Sequence, residues 1–411
     1  QNMDSVNYYL NKPKEMEIFT WNGNQKKELS TLDSIRHYVV MLNAGMMSME
    51  PRTGEIKVWV GGINHKYYKF DHVNQSKRQA GSTFKPFAYL AALESGKSPC
   101  DKYTDKPVRI YAGLKDGVEE YWEPKNADWN FSYREMSLRW AMARSVNSIT
   151  AQITEEVGWD KVVDAAHRCG IESPLKSVPS VSLGSNDVSV YEMVRAYATF
   201  MNEGKRLDPI LVSKIVDFDG NVIAEFKKKE KEVLTKENAW LMTYMLRGGM
   251  EEPGGTSQAL WDWDLFKKDN QIGGKTGTSS DYVDGWYMGV TKDLVTGVWV
   301  GCDEQSIHFK NSHTGEGSKT ALPIFGMFLE ELYKHPELGY TFGKFPDPTV
   351  EITKKYKCES PRLPERTESA DSTAVDIPDG EILEGEGGEQ NGEQPVTTPQ
   401  PPALDADSTL D

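Results

Sequence analysis

Ser82-Thr83-Phe84-Lys85, Ser145-Val146-Asn147 and Lys275-Thr276-Gly277-Thr278 follow one another along the chain and together hold what a serine acyl transfer requires. Each piece alone is common. S-x-x-K recurs at Ser173 to Lys176 and S-x-N at Ser5 to Asn7, but K-T-G occurs only at Lys275, and only Ser82 with Ser145 satisfies the order S-x-x-K, S-x-N, K-T-G. A serine hydroxyl is a poor nucleophile until a base takes its proton, and a lysine three residues on lies on the same helix face, so Lys85 can reach Ser82. In this reading the Ser145 hydroxyl relays a proton toward the leaving amine and the Asn147 amide holds the substrate's peptide group. Lys275 supplies positive charge near the hydroxyls and a substrate carboxylate. Thr276 and Thr278 contact the substrate, and Gly277 lets its backbone approach. The backbone N–H groups of Ser82 and Thr278 form an oxyanion hole.

Plainer readings compete with each motif. Ser82 could cap a helix with Lys85 a solvated first-turn cation, and Ser145 or Asn147 could cap the helix that follows. The three motifs in order outweigh these. Gly274-Lys275-Thr276 also matches the end of a phosphate-binding loop, G-x-x-x-x-G-K-[ST], but the first glycine position holds Asp269, whose charge would repel phosphate.

The elements that must position these residues follow from periodicity. Phe84, Phe87, Ala88 and Leu90 to Leu93 are apolar nearly all round, which predicts a buried helix ending near Gly96, with Pro86 tolerable in its first turn. A lysine buried at the start of that helix, with a second cation nearby, should lose its proton more readily. Amphipathic stretches over 136–144 and 149–157 place Ser145 and Asn147 at a helix junction. Apolar runs at 285–290 and 294–300 predict a hairpin, with K-T-G on a strand edge where an extended peptide can pair. A second hairpin is expected over 45–49 and 56–60, turning at 51–54. Helices dominate from about 85 to 250. Strands at both ends with helices between predict a mixed sheet closed by both ends of the domain and flanked by helices, with a helix over 321–334 on the outer face.

With those residues in view the chain resembles the transpeptidase domain of class A, bifunctional penicillin-binding proteins. The resemblance rests on Arg78 to Phe87, Val181-Ser182-Leu183-Gly184-Ser185, Gly274 to Tyr282 with Gly285-Trp286, and the opening segment Thr53 to Gly62, and it runs from about Ala44 to about Tyr333. It implies a penicillin-binding transpeptidase or serine β-lactamase-like fold, α/β of the α+β kind, mostly antiparallel sheet flanked by helices, with a helical subdomain. It implies Ser82 as the acylated nucleophile, Lys85 as base, Ser145 and Asn147 as the middle motif, and Lys275, Thr276 and Thr278 as the third. The implied partners are peptidoglycan stem peptides and β-lactams, and the implied location is extracytoplasmic. Class A members also carry a membrane anchor and a glycosyltransferase region with an E-D-x-x-F motif before this domain. Neither is found here, so the chain reads as part of a longer, membrane-anchored protein of a cell-wall synthesis complex. A β-lactamase, a D-Ala carboxypeptidase and a non-catalytic β-lactam sensor use the same motifs and remain as alternatives.

Composition bounds the rest. The chain has 411 residues and a net charge of −15. Residues 359–411 hold 14 acidic and 2 basic residues, so 1–358 carries 48 acids against 45 bases, with no basic face for nucleic acid. The expected layout is a small strand-containing linker module over 1–43, the transpeptidase domain over 44–345, and an acidic Pro/Gly-rich disordered tail over 346–411. Cys100, Cys169, Cys302 and Cys358 allow three full disulfide pairings, none chosen by the sequence. No metal or other cofactor is expected, since there is no C-x-x-C or His cluster.

Overall fold

Strands β1 (Asn43–Met49), β2 (Ile56–Val60), β3 (Gly273–Thr278), β4 (Asp284–Val290) and β5 (Val295–Gly301) form one sheet in the order β3-β4-β5-β1-β2. The structure, a computed structural model, describes residues 3–359. Both expected hairpins are present, and the sheet is closed by strands from the two ends of the domain. It is antiparallel throughout, with Val295 opposite Met49 and Gly301 opposite Asn43 where the two ends meet. The expected mixed sheet is therefore corrected. A parallel pair needs a long crossover within the sheet, whereas β1–β2, β3–β4 and β4–β5 each reverse through a short turn.

Strand alternation divides the side chains between two apolar layers. Met47, Met49, Trp286, Met288, Val290, Val295 and Trp299 face the larger layer. That layer is built with helices α1 (Lys85–Glu94), α2 (Leu138–Ala143), α3 (Asn147–Val157), α4 (Trp159–Cys169), α5 (Val190–Met201) and α6 (Lys236–Glu251). Met46, Tyr287, Val298 and Val300 face the other layer, closed by α7 (Ala321–Leu332) on the outer face as expected. α1 is the central rod, buried from Lys85 through Leu93, with Pro86 in its first turn. Gly96 beyond its end takes φ +98°, a conformation that stops the helix. Among the described residues no helix is long and apolar enough to cross a membrane.

Residues before the sheet form a helix (Met3–Asn11), a hairpin (Lys14–Thr20 with Gly23–Leu29) and a second helix (Thr31–Val39). The strands agree with the expected small module, while the helices lacked a sustained sequence period. Ser30 and Asp33 cap the second helix reciprocally. Lys66 Nζ and Tyr67 Oη of the main domain both donate to Glu17 at 2.9 Å.

The other departure is at the far end. Residues 346–359, expected to belong to a disordered tail, lie as a strap against the helices. Thr353 N, Thr353 Oγ1 and Lys354 N donate to one oxygen of Glu237 at 2.7, 2.9 and 3.0 Å. The Tyr356 ring stands edge-on to Trp240 and Tyr244, and Cys358 is bonded to Cys100. The acidic run begins only at Glu359, after Ile352, Tyr356 and Cys358, the residues that attach the strap. From residue 360 onward the expected disorder lies outside the described residues. Cys169 and Cys302 remain buried thiols.

The Cys100–Cys358 bond joins positions 258 apart in sequence. Cys358→Ser should lower unfolding stability by about 2–4 kcal/mol, seen as a lower guanidinium midpoint than the oxidised parent. Equal midpoints would show that the strap's non-covalent contacts suffice.

Candidate active site

Ser82 lies in a 3₁₀ turn, Gly81–Phe84, that leads into α1. Thr83 Oγ1 donates to Ala80 O at 2.7 Å, and buried Tyr197 donates its hydroxyl to Thr83 O at 2.6 Å, so the turn is held from both sides. Lys85 is 0% and Lys275 1% exposed. Lys85 Nζ donates to Ser145 O at 2.5 Å, to Ser145 Oγ at 3.1 Å and to Asn147 Oδ1 at 2.6 Å. Lys275 Nζ donates to Ser145 Oγ and to Thr276 O, both at 2.9 Å. Ser145 Oγ therefore sits between two amines, and no carboxylate is among their partners. Burial first, then the neighbouring Lys275, pushes Lys85 well below the ordinary 10.5 of a lysine. Burial alone brings Lys275 down to about 7. A neutral Lys85 keeps two hydrogens, for Ser145 O and Asn147 Oδ1, and its lone pair can accept a hydroxyl proton, with Ser145 Oγ then the donor. The expected Lys85–Ser82 bond is not formed in this state, where the amine turns to Ser145 and Asn147. Catalytic hydrogen bonds often close only around bound substrate.

The middle motif sits at a helix junction, as its flanking pattern predicts, but neither of its side chains caps the next helix. Ser145 takes φ +59°, a left-handed conformation unusual for a residue with a Cβ. That strained turn, worth ~1–3 kcal/mol, points both Ser145 oxygens at the amines. The position ahead of α3 is Val146, which has no capping atom. The cap comes instead from Asn126, whose Oδ1 accepts Asn147 N at 3.0 Å and Ser148 N at 3.2 Å. Asn147 Nδ2 donates to Lys125 O at 2.6 Å, which leaves its amide oxygen facing Lys85.

The third motif is on β3, which lies at the end of the sheet order and has one unpaired side among the described strands. A Cβ added to Gly277 would lie 2.8 Å from both Ala80 O and Thr83 Cγ2. The glycine is thus required by its contact with the turn that carries Ser82. A Cβ on Gly81, at φ +54°, would meet Thr278 O at 2.5 Å, so Ser82 follows directly on a residue packed against Thr278. Thr276 is buried. Thr278 Oγ1 accepts Gly317 N at 3.1 Å, which leaves its own hydrogen free to donate to a ligand.

Ser82, Lys85, Ser145, Asn147, Lys275, Thr276, Gly277 and Thr278 are thus gathered at one cleft by two elements and a turn. The second S-x-x-K is structural: Ser173 N and Oγ donate to the buried Glu192 carboxylate at 2.6 and 2.9 Å, and Lys176 is exposed. Ser5 and Asn7 lie exposed on the first helix. Lys275 is on a strand rather than at a loop leading into a helix, which removes the phosphate-loop reading. Sequence reasoning missed Lys125, Asn126 and Gly317. It also missed the Arg78–Asp284 ion pair (2.6 Å) that ties the segment before Ser82 to β4. Only the turn residues Pro124-Lys125-Asn126 signalled any of these, and nothing local connects them to Asn147.

Comparison with known proteins agrees with this geometry. Residues 44–329 match the family model for the penicillin-binding protein transpeptidase domain, and residues 1–42 match the penicillin-binding protein middle domain. Penicillin-binding protein 1A of Rickettsia felis is 34% identical over 332 residues, covering 74% of this chain and 40% of the relative. The protein of the same name from Aquifex aeolicus is 34% identical over 284 residues, covering 69% and 37%. The crystal structure of penicillin-binding protein 1A from Haemophilus influenzae aligns with a TM-score of 0.68 at 25% identity, over 81% of this chain and 52% of that one. PonA1 of Mycobacterium tuberculosis in complex with penicillin V aligns with a TM-score of 0.61 at 21% identity, over 85% and 92%. The fold and cleft are those of a peptidoglycan transpeptidase domain. The chain belongs to the penicillin-binding protein transpeptidase family, with class A proteins of the 1A type as its relatives, and spans about 40% of the length of the curated relatives it matches.

The buried lysines give a pH test. Unfolded, Lys275 holds its proton up to its ordinary 10.5; folded, only to about 7. Between those values the unfolded chain binds more protons, so this stability is complete above 10.5 and is lost as pH falls to about 7. Lys275→Met should flatten the rise of unfolding free energy with pH in that window by up to about 1.4 kcal/mol per pH unit. Denaturant unfolding at several pH values measures the slope, and parallel curves would mean that Lys275 keeps its proton in the fold.

Proposed function

We propose that this domain cross-links peptidoglycan stem peptides through an acyl-enzyme on Ser82. The observation that carries the reading is Ser145 Oγ held 3.1 Å from Lys85 Nζ and 2.9 Å from Lys275 Nζ, in a cleft that also gathers Ser82 and an edge strand. Lys85, neutral through burial, takes the Ser82 proton as Oγ attacks the carbonyl carbon of the penultimate D-Ala. The backbone N–H groups of Ser82 and Thr278 receive the oxyanion. The carbonyl–nitrogen bond then breaks, Ser145 passes a proton to the departing D-Ala amine, and the acyl group remains on Ser82. An amine of a neighbouring stem attacks that ester, its proton returns through the same groups, and Ser82 is released. Asn147 holds the donor peptide group, while Thr276, Thr278 and Lys275 hold its carboxylate. A β-lactam presents an amide of the same kind in a ring, so its acyl group stays attached after ring opening.

Among the described residues the partners of Lys85 and Lys275 are hydroxyl, amide and carbonyl groups and no glutamate is one of them, which supports transfer over β-lactamase chemistry. The substrate class sets the domain on the extracytoplasmic side of the membrane. The full-length protein would contribute the anchor, a glycosyltransferase activity and contacts with a cell-wall synthesis complex.

Ser82→Ala should abolish covalent labelling by a fluorescent penicillin while leaving the fold intact, and Lys85→Ala should slow labelling by ~10²-fold or more. Thr278→Val should weaken recognition of the carboxylate and slow acylation. Labelling that persists in the serine variant, or proceeds at the parental rate in the lysine variant, would overturn these roles.

A further inference from the structure

We infer that Asp105 is a positioning residue for acyl transfer, acting through Asn126 to hold Asn147 in the orientation that serves Lys85; the inference rests on the acyl-transfer reading above. Asp105 is 3% exposed, and its carboxylate faces only uncharged donors. Oδ1 accepts Ser148 Oγ at 2.6 Å and Asn126 Nδ2 at 2.8 Å. Oδ2 accepts Ser132 N and Ser132 Oγ, both at 2.7 Å. Its backbone is also paired, with Asp105 N donating to Arg134 O and Asp105 O accepting Tyr133 N. A buried carboxylate without a cation is costly unless hydrogen bonds replace its water, and here four donors do so.

These bonds determine which way Asn126 faces. An amide has one acceptor end and one donor end, and Asp105 Oδ1 together with Asn130 O takes the donor end. The acceptor end must then face the other way, where it caps Asn147 N and Ser148 N. The same segment presents Lys125 O to Asn147 Nδ2. That bond turns the Asn147 amide oxygen onto Lys85 Nζ at 2.6 Å. Ser148 Oγ adds a second attachment from Asp105 to the first turn of α3. The carboxylate thus aligns one catalytic amide from two sides while touching neither substrate nor Lys85.

An asparagine at 105 keeps one acceptor oxygen for two obligate donors, Asn126 Nδ2 and Ser132 N, so one of them meets an NH₂ group and the hold on Asn126 weakens. The test measures acylation by benzylpenicillin under saturation, which separates the acylation rate constant from the non-covalent dissociation constant, with folding checked by circular dichroism. Asp105→Asn and Asn126→Ala should each lower the acylation rate constant by about tenfold to 10²-fold, the scale of a displaced catalytic group, in addition to any rise in the dissociation constant as the Asn147 amide loses its hold on the peptide group. Ser132→Ala removes one bond from the other carboxylate oxygen, and should lower the melting temperature while acylating at the parental rate. If Asp105→Asn does not fold, Asn126→Ala carries the test alone. Parental acylation in folded Asp105→Asn or Asn126→Ala, or an equal loss in Ser132→Ala, would reduce Asp105 to a stability role and overturn the inference. No adduct on Ser82 in the parent chain would overturn the acyl-transfer reading itself, and this assignment with it.

Discussion

Two lysines buried side by side with one serine hydroxyl between them, and no carboxylate to neutralise either, are the constraint around which this domain is organised. Water would stabilise both ammonium groups and remove the effect, so Lys85 and Lys275 must be kept dry. That requirement accounts for a central helix buried along nearly its whole length, with Lys85 as its first residue. It also accounts for a strand whose lysine is covered by the sheet and helices around it. Burial lowers the proton affinity of Lys85, and the second amine lowers it further. In the proposed mechanism this unfavourable burial is the source of the reactivity.

The same constraint explains why backbone, more than side chain, joins the parts of the site. The nucleophile's turn and β3 touch through glycines, with Gly277 against Ala80 and Thr83 and Gly81 against Thr278. A methyl group at either place would separate the sheet from the helical half and open the cleft. Ser145 contributes in another way, holding a left-handed conformation that turns its two oxygens inward. Asn126 reaches across to cap α3 where Val146 cannot. Each device holds a reactive group in place without placing an opposite charge beside the lysines, which would raise their proton affinity.

What the sequence made legible is local or ordered. The motif order singled out Ser82 and Ser145 because only one arrangement satisfied it. The buried central helix was readable because its apolar residues run all the way round, and both sheet hairpins because their strands alternate and their turns are short. Less readable were features made by residues distant in sequence. Asn126 lies 21 residues before Asn147, in a loop whose pattern says only that it is a loop. The disulfide could not be assigned, since spacing does not distinguish Cys358 from the two cysteines that stay unpaired. The strap over 346–359 was lost in the average charge of the residues after it. The packing of Gly277 against Ala80 and Thr83 was not readable either, because a glycine needed for packing looks the same in sequence as one that admits a substrate. The left-handed Ser145 gave no sign at all: it closes the end of α2, with Ser145 N donating to Met142 O and Val146 N to Ala141 O, at a position where glycine is usual.

The most direct test of the account is the pH dependence of Ser82 acylation by benzylpenicillin, followed by intact-mass spectrometry with the adduct mapped to its residue. If burial beside Lys275 keeps Lys85 neutral, a single adduct on Ser82 should form at its full rate at a pH well below the ordinary 10.5 of lysine, and persist through a long chase. A rate still climbing toward that value would show that Lys85 remains protonated in the fold, and an adduct elsewhere would place the nucleophile outside this cleft.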